Sequence, residues 1–469
     1  MRKILAALIG STMLAGAADA QAQGPRPDQQ AFREIYEELV ETNTTLSSGS
    51  CTEAAAKMGA RLRKAGFAEG DIHLLTEPSH PKEGSIDAVL KGSDAKAKPI
   101  LLLGHLDVVE ARREDWTSDP FTLIEENGYF YGRGTADMKA MDAIWVDTLI
   151  RMKTAAKPPR RTVKMALTCG EETAEAFNGA DWLVRNRPEL ISAEFALNEG
   201  GGGQLNAEGR KERMGVQVGE KTAQSYLLTV TNPGGHSSRP RPDNAIYELA
   251  DALLKIRSYV FPTRLNDTTR VGFGLRAQAG DAVGEALKKL LANPADAEAA
   301  RVAATDANVN AILHTNCVAT RLDAGHASNA LPQRATAIVN CRIFPGETVE
   351  GTRETLVKVV ADPRVSIETV QPVRPIATQP PLDPKVIGPM KAVAAKHFPG
   401  VPLIPSMLAG ATDGRYFGPA KIPVYGAPGV FGDPDGNGAH GLNERLRVSS
   451  VYEGRDYLFD LVSAYAYGK

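Results

Sequence analysis

Residues 161–175 read RTVKMALTCGEETAE. The run TVKMAL (162–167) is apolar and of strand length, and a run without polar alternation suits a strand covered on both faces. Glu171 and Glu172 follow it side by side. Two carboxylates at the end of a buried strand repel one another. At least one is driven toward its protonated form unless a cation lies beside them.

Working outward, IDAVLKG (86–92), PILLLGHLDVV (99–109) and EFALNEGGGG (194–203) share the strand character. The stretches FREIYEELVETNT and TEAAAKMGARLRKAG within 31–66, TADMKAMDAIWVDTLIRMKTA (135–155) and GADWLVRNRPELI (179–191) have helical periodicity. Strands alternating with helices predict a layered α/β domain with a largely parallel sheet. Ligands of such sheets bind beyond the carboxyl ends of the strands. His105, Glu171, Glu172 and Glu199 all fall there.

The middle of the chain follows another pattern. SYLLTVTN (225–232), ATRLD (319–323), ATAIVNCRI (335–343) and VSIETV (365–370) read as antiparallel strands, with helices over 243–259 and 348–360 on one face. The α/β pattern resumes after the proline-rich QPVRPIATQPPLDP (371–384), with a helix over 385–397. The expected organisation is one α/β domain in two pieces, 23–221 and 373–469. An α+β sandwich over 222–372 is inserted into it and carries an alanine-rich helical insert near 281–306.

The chain has 469 residues, 43% of them hydrophobic, and a formal net charge of −2. That balance lacks the basic excess a nucleic-acid partner requires, and no internal run is apolar enough to span a membrane. The N-terminus, MRKILAALIGSTMLAGAADAQAQ, has a basic start, an apolar stretch and A-x-A sites at Ala18–Ala20 and Ala20–Ala22. A signal peptide over 1–22 and a secreted, periplasmic protein are expected. The four cysteines are too widely spaced for a disulfide scaffold and lack the C-x-x-C of a thiolate zinc site. Cys317 and Cys341 can face each other on neighbouring strands, although the sequence does not favour their pairing.

His105 precedes Asp107 by two residues, on the same side of the pleat. A carboxylate there can hold the imidazole tautomer for metal ligation. The glycine turn in GYFYGRGTADMKA (128–140) delivers Asp137 to the mouth of a helix. Standing alone, the first motif reads more readily as a buried hydrogen-bonded pair and the second as a helix cap. With Glu172, Glu199 in LNEGGGG and His440 in GNGAHGLNE, they supply nitrogen and oxygen donors suited to zinc, cobalt or manganese. An aspartate bridging two ions gives each ion a histidine and a glutamate of its own. One of the paired glutamates then stays free to carry a proton.

LLLGHLDVV, GYFYGRGTADMK, TCGEE, LNEGG, GGHSS, SNALP with NCRIFPGE, GATDGR and AHGLNE occur in this order. Together they resemble the co-catalytic zinc exopeptidases of metallopeptidase family twenty, which includes glutamate carboxypeptidase, aminoacylase, carnosinase and succinyl-diaminopimelate desuccinylase. The helical insert resembles the carboxypeptidase S and N-acyl-amino-acid hydrolase branch. The resemblance implies a zinc-exopeptidase-like catalytic domain with a lid. It implies two Zn2+ ions, with Co2+ or Mn2+ as substitutes. His105, Asp137 and Glu199 hold one ion; His440, Glu172 and the bridging Asp137 hold the other, and the peptide after Asp137 is cis. Asp107 orients His105, and Glu171 is the general base. His236 in GGHSS stabilises the oxyanion, often across a dimer formed through the lid. Asn329, Arg342 and Thr412 contact substrate, with Asp413 and Arg415 lining the same pocket. The implied activity is hydrolysis of amide bonds in small peptides, as a carboxypeptidase or dipeptidase. Deacylation of N-acyl amino acids is the alternative. An inactive metal-holding scaffold fits less well, because a pure binding site needs no free Glu171.

Overall fold

Every residue of the strand Val163–Thr168 is buried, and the reason lies in its neighbours. It pairs in parallel with Ile100–His105, which pairs in parallel with Phe195–Asn198. The helix Lys139–Thr154 packs over this layer. Its Trp145 is fully buried, and the indole N–H donates to the Leu103 carbonyl at 3.0 Å. Removing such a side chain from a core costs about 3–5 kcal/mol. The structure, a computed structural model, describes residues 26–173, 177–427 and 429–468. The expected leader over 1–22 lies outside them.

Among the described residues the main sheet has ten strands. Its centre is parallel, while His80–Leu90 joins Val163–Thr168 antiparallel on one flank and Gly202–Leu205 joins Lys211–Glu220 antiparallel on the other. Several of its strands, Ile72–Glu77, Lys211–Glu220 and Leu403–Leu408 among them, have no counterpart in the sequence reading. Nor does the 20-residue helix Val448–Tyr467. That helix is held by Arg455, a buried guanidinium whose Nε donates to Asp147 at 2.8 Å and whose Nη1 donates to Asp28 at 2.7 Å.

A separate four-stranded antiparallel sheet runs Asn316–Ala324, Arg334–Ile343, Thr222–Thr231, Val365–Thr369. Three of its strands alternate between buried and open positions, and the edge strand Asn316–Ala324 is open along most of its length. Tyr226, Leu228, Val339 and Cys341 face a core made with the helices Ala245–Ser258 and Val349–Val360, and Asn340 and Arg342 lie on the opposite face. The helical insert begins earlier than the sequence suggests. Four helices, Asp267–Arg276, Ala282–Ala292, Ala297–Ala303 and Ala307–Leu313, share a small core around Phe273, Leu287 and Leu313.

The reading of the cysteines is corrected. Cys317 and Cys341 sit directly opposite on neighbouring strands and form a disulfide. Cys51 and Cys169, separated by 118 residues, form a second. It joins the start of the helix Cys51–Lys64 to the strand end that precedes Glu171.

Candidate metal centre

Three parallel strands end on one level and deliver their side chains together. His105 closes the strand Ile100–His105, opposite Thr168. The chain then turns through Gly170 into Glu171 and Glu172. Gly170 has φ +98°, and a Cβ there would lie 1.9 Å from the Phe177 carbonyl oxygen, so only glycine fits. Glu199 follows the strand Phe195–Asn198. Gly201, two residues later, has φ +82°, and a Cβ there would meet the Gly215 carbonyl oxygen at 2.2 Å. Asp137 comes from the turn before the helix Lys139–Thr154, and the Asp137–Met138 peptide is cis. His440 arrives on a loop near the end of the chain.

These groups meet around Asp137. Its Oδ1 lies 3.5 Å from His105 Nε2, and its Oδ2 lies 3.2 Å from His440 Nε2. Glu199 stands 3.8 Å from His105 Nε2, and Glu172 stands 2.9 Å from His440 Nε2. Donor atoms of His105, Asp137 and Glu199 all lie within 4.8 Å of one another, as do those of Asp137, Glu172 and His440.

The donor set fits two divalent ions. His105 Nε2 is buried without a hydrogen-bond partner among the described residues, and its distances to Asp137 and Glu199 exceed hydrogen-bond length. Ligands at about 2.0–2.1 Å from a tetrahedral zinc stand roughly 3.3–3.4 Å apart, close to the spacing around Asp137. The electrostatics agree. Burial opposes charge on His105, yet the carboxylates of Asp137 and Glu199 raise its pKa well above the usual value. His440 is raised to about 9, chiefly through its hydrogen bond with Asp137. The carboxylates demand positive charge at this point, and a cation answers the same demand. Glu171 is pushed well above the usual carboxylate range by burial, with the Glu199 charge adding to it.

Asp107 works differently from the expectation. Its carboxylate is 3.7 Å from His105 Nδ1, too far for a hydrogen bond. The Nδ1–H donates instead to the backbone carbonyl of Asp107 at 3.0 Å, which directs the Nε2 lone pair toward Asp137. The carboxylate accepts from the backbone N–H groups of Glu171 at 3.3 Å and Glu172 at 2.9 Å. It therefore shapes the turn that carries both glutamates.

The remaining expected residues fall into two groups. His236 is exposed on a short ribbon, Gly235–His236 paired with Ala330–Leu331, and lies outside the donor cluster. Its Nδ1 contacts Ser238 Oγ at 2.8 Å. Asn329 adjoins it, since its carbonyl accepts from the Ser237 N–H at 3.0 Å. Arg342 is half-buried, and burial together with the Arg415 charge lowers its pKa. Arg415 is itself buried, and its Nε finds no acceptor among the described residues. The Thr412 hydroxyl is fully committed. It donates to Glu220 at 2.8 Å and accepts from Asn198 Nδ2 at 3.2 Å and the Gly414 N–H at 3.0 Å. A hydroxyl has one donor and two lone pairs, so no capacity remains for a substrate.

One residue near the site escaped the sequence reading. Glu444 is wholly buried, and its carboxylate accepts from four donors on the turn that delivers Asp137. Its only sequence signal is its place in AHGLNE, where it reads as polar loop.

The chain resembles the human N-fatty-acyl-amino acid synthase/hydrolase PM20D1, with 28% identity over 94% of this chain and 89% of that one. Among solved structures, the M20 family metallo-carboxypeptidase Sso-CP2 from Sulfolobus solfataricus superposes with a TM-score of 0.70 at 19% identity, over 94% of this chain and 100% of that one. The Bacillus subtilis YXEP protein, described as a dinuclear metal binding peptidase from the M20 family, gives 0.60 at 13% identity, over 94% and 98%. Residues 101–464 match the family described as peptidase family M20/M25/M40, and this chain belongs to that family of amide-bond hydrolases.

Proposed function

We propose that this chain is a two-metal exopeptidase that releases an amino acid from the end of a small peptide. The observation that carries this reading is Asp137, whose two oxygens face two different histidines. His105, Asp137 and Glu199 would hold one ion, and Asp137, Glu172 and His440 the other, with zinc as the first choice. When bound, such a pair supplies Lewis acidity at the scissile carbonyl and lowers the pKa of the attacking water. Glu171 takes the proton from that water and passes it to the leaving amine. Burial raises its pKa in the metal-free site, and the positive charge of the ions would draw it back down toward a group that can accept a proton and return it. Arg342, with Arg415 beside it, offers a bidentate guanidinium to the free carboxylate of the departing amino acid.

A second reading shares this carboxylate. Deacylation of N-acyl amino acids is favoured by the likeness to an N-fatty-acyl-amino acid hydrolase along nearly the whole chain. The purified protein, offered a dipeptide series and an N-acyl amino acid series under one metal condition, decides between them. A kcat/KM at least tenfold higher for peptides supports the first reading, and the reverse replaces it. Turnover of neither series removes both.

His236 is exposed and away from the donor cluster, which suits a role as oxyanion donor delivered from a second copy. The edge strand Asn316–Ala324 shows Val318 and Leu322 to solvent, and the adjacent helix shows Tyr247 and Leu254. That apolar face supports a homodimer through the inserted sheet, tested by the mass of the protein in solution. The segment over 222–372 acts as the lid. No helix among the described residues is long and apolar enough to cross a membrane. Export is supported by the leader-like N-terminus and by two disulfides, which persist in oxidising compartments.

A further inference from the structure

Asp137 and His440 reach the same place from turns some three hundred residues apart, and one carboxylate ties those turns together. Glu444 Oε1 accepts from the backbone N–H groups of Ala136 at 2.7 Å and Asp137 at 3.0 Å. Its Oε2 accepts from the Gly134 N–H at 2.9 Å and Arg133 Nη1 at 2.8 Å. Arg133 closes the loop from the other side. Its Nη2 donates to the carbonyl of Gly441, the residue after His440, at 2.6 Å. The Gly132 N–H donates to the backbone carbonyl of Glu444 at 3.1 Å. The guanidinium also lies 5.0 Å from the centre of the Trp116 ring.

Both members of this pair are buried, with Glu444 wholly inaccessible. Four donors on two oxygens fill a carboxylate. An amide of the same shape would turn an NH2 toward one set of N–H groups and leave them without an acceptor. Among the described residues, the side-chain hydrogen bonds of the pair go only to the segments that carry Asp137 and His440. His105 and Glu199 are positioned by strands of the central sheet and make none of these contacts. A buried ion pair is weak evidence for added stability, and fixing one arrangement is its better-attested use.

We propose that Arg133 and Glu444 form a positioning device for the second ion alone, setting the gap between Asp137 and His440 before that ion arrives. This rests on the two-ion reading above. Outer-shell partners of this kind change metal affinity by about 10–100-fold when removed. The effect should fall on the ion between Asp137, Glu172 and His440 and spare the one at His105.

The test is a Co2+ titration of chelator-stripped protein, followed by cobalt absorption and by metal analysis after gel filtration. Wild type, Glu444→Gln and His440→Ala are compared, with melting of each metal-free form as the check on folding. Wild type is expected to keep two ions per chain. Glu444→Gln is expected to keep one at wild-type affinity and to bind the second about 10–100-fold more weakly, so that its stoichiometry approaches that of His440→Ala. Two ions at wild-type affinity in Glu444→Gln overturn the inference, and so does equal weakening of both. A wild type that holds fewer than two ions overturns the two-ion reading and this inference with it. Should Glu444→Gln fail to fold, Arg133→Gln keeps the carboxylate in place. It should weaken the same second ion, and unchanged affinity in that variant overturns the inference.

Discussion

His105 and His440 face opposite oxygens of one aspartate, yet they stand in opposite surroundings. The His105 side chain is 2% exposed and closes a strand in the middle of the sheet. The His440 side chain is 57% exposed and sits on a loop with its own φ at +59°. One half of the centre is therefore built by the hydrophobic core, which fixes strand ends through packing and register. The other half takes Glu172 from the same level of the sheet, but its histidine is brought in by a distant loop that depends on individual hydrogen bonds. A donor cluster that looks symmetric in its ligands is asymmetric in what holds it.

The largest expected effect concerns the group that belongs to neither half. Glu171→Gln should lower kcat by about 10²–10⁴-fold, while metal analysis still finds two ions per chain. Retained turnover would remove Glu171 as the proton carrier, and lost metal would make it a ligand.

The comparison itself is broken or upheld by the two histidines. His440→Ala should lose one ion and leave the melting of the metal-free protein within about 0.5 kcal/mol of wild type, as for other surface changes. His105→Ala should destabilise the metal-free protein by about 1–3 kcal/mol and lose the ion between His105, Asp137 and Glu199. Equal behaviour of the two variants would show that the halves are not held differently.

Asp107→Asn sharpens the buried half. The backbone carbonyl that fixes His105 remains, so affinity at that ion should be nearly unchanged. The acceptors for the Glu171 and Glu172 N–H groups are impaired, and kcat should fall about 10–100-fold. A fall in metal affinity with kcat intact would return Asp107 to the role of histidine orienter.

The last test concerns the buried layer away from the chemistry. Asp87 is 1% exposed, and neither carboxyl oxygen finds a hydrogen-bond partner among the described residues. Burial pushes its pKa up to about 8. The folded state holds this proton where the unfolded chain has released it, so folding loses stability as pH rises from about 4 to 8. Asp87→Asn should raise Tm more at pH 8 than at pH 5. An equal shift at both pH values would mean the carboxyl is already ionised in the fold.

The buried half was the more legible in sequence, for a physical reason. TVKMAL and ILLLGH announce buried strands through unbroken apolar runs, and the end of such a strand is a place the fold reserves for ligands. His105, Glu171, Glu172 and Glu199 could be placed there from pattern alone. His440 could be grouped with them only as a nitrogen donor left over near the chain end. What escaped was whatever depends on contact between distant segments. The Glu444 carboxylate, the Asp107 main-chain carbonyl and the Cys51–Cys169 bridge are defined by who meets whom, and periodicity carries no record of that. Thr412 shows the converse, since a pocket-lining motif did not reveal a hydroxyl already spent inside the protein.

The central claim is that Asp137 stands between two ions. Anomalous diffraction at the zinc edge from crystals of the zinc-loaded protein tests it most directly. Two peaks roughly 3.5–4 Å apart, one beside His105 and Glu199 and one beside Glu172 and His440, are the expected result. A single peak, or two peaks with Asp137 ligating only one of them, would contradict it.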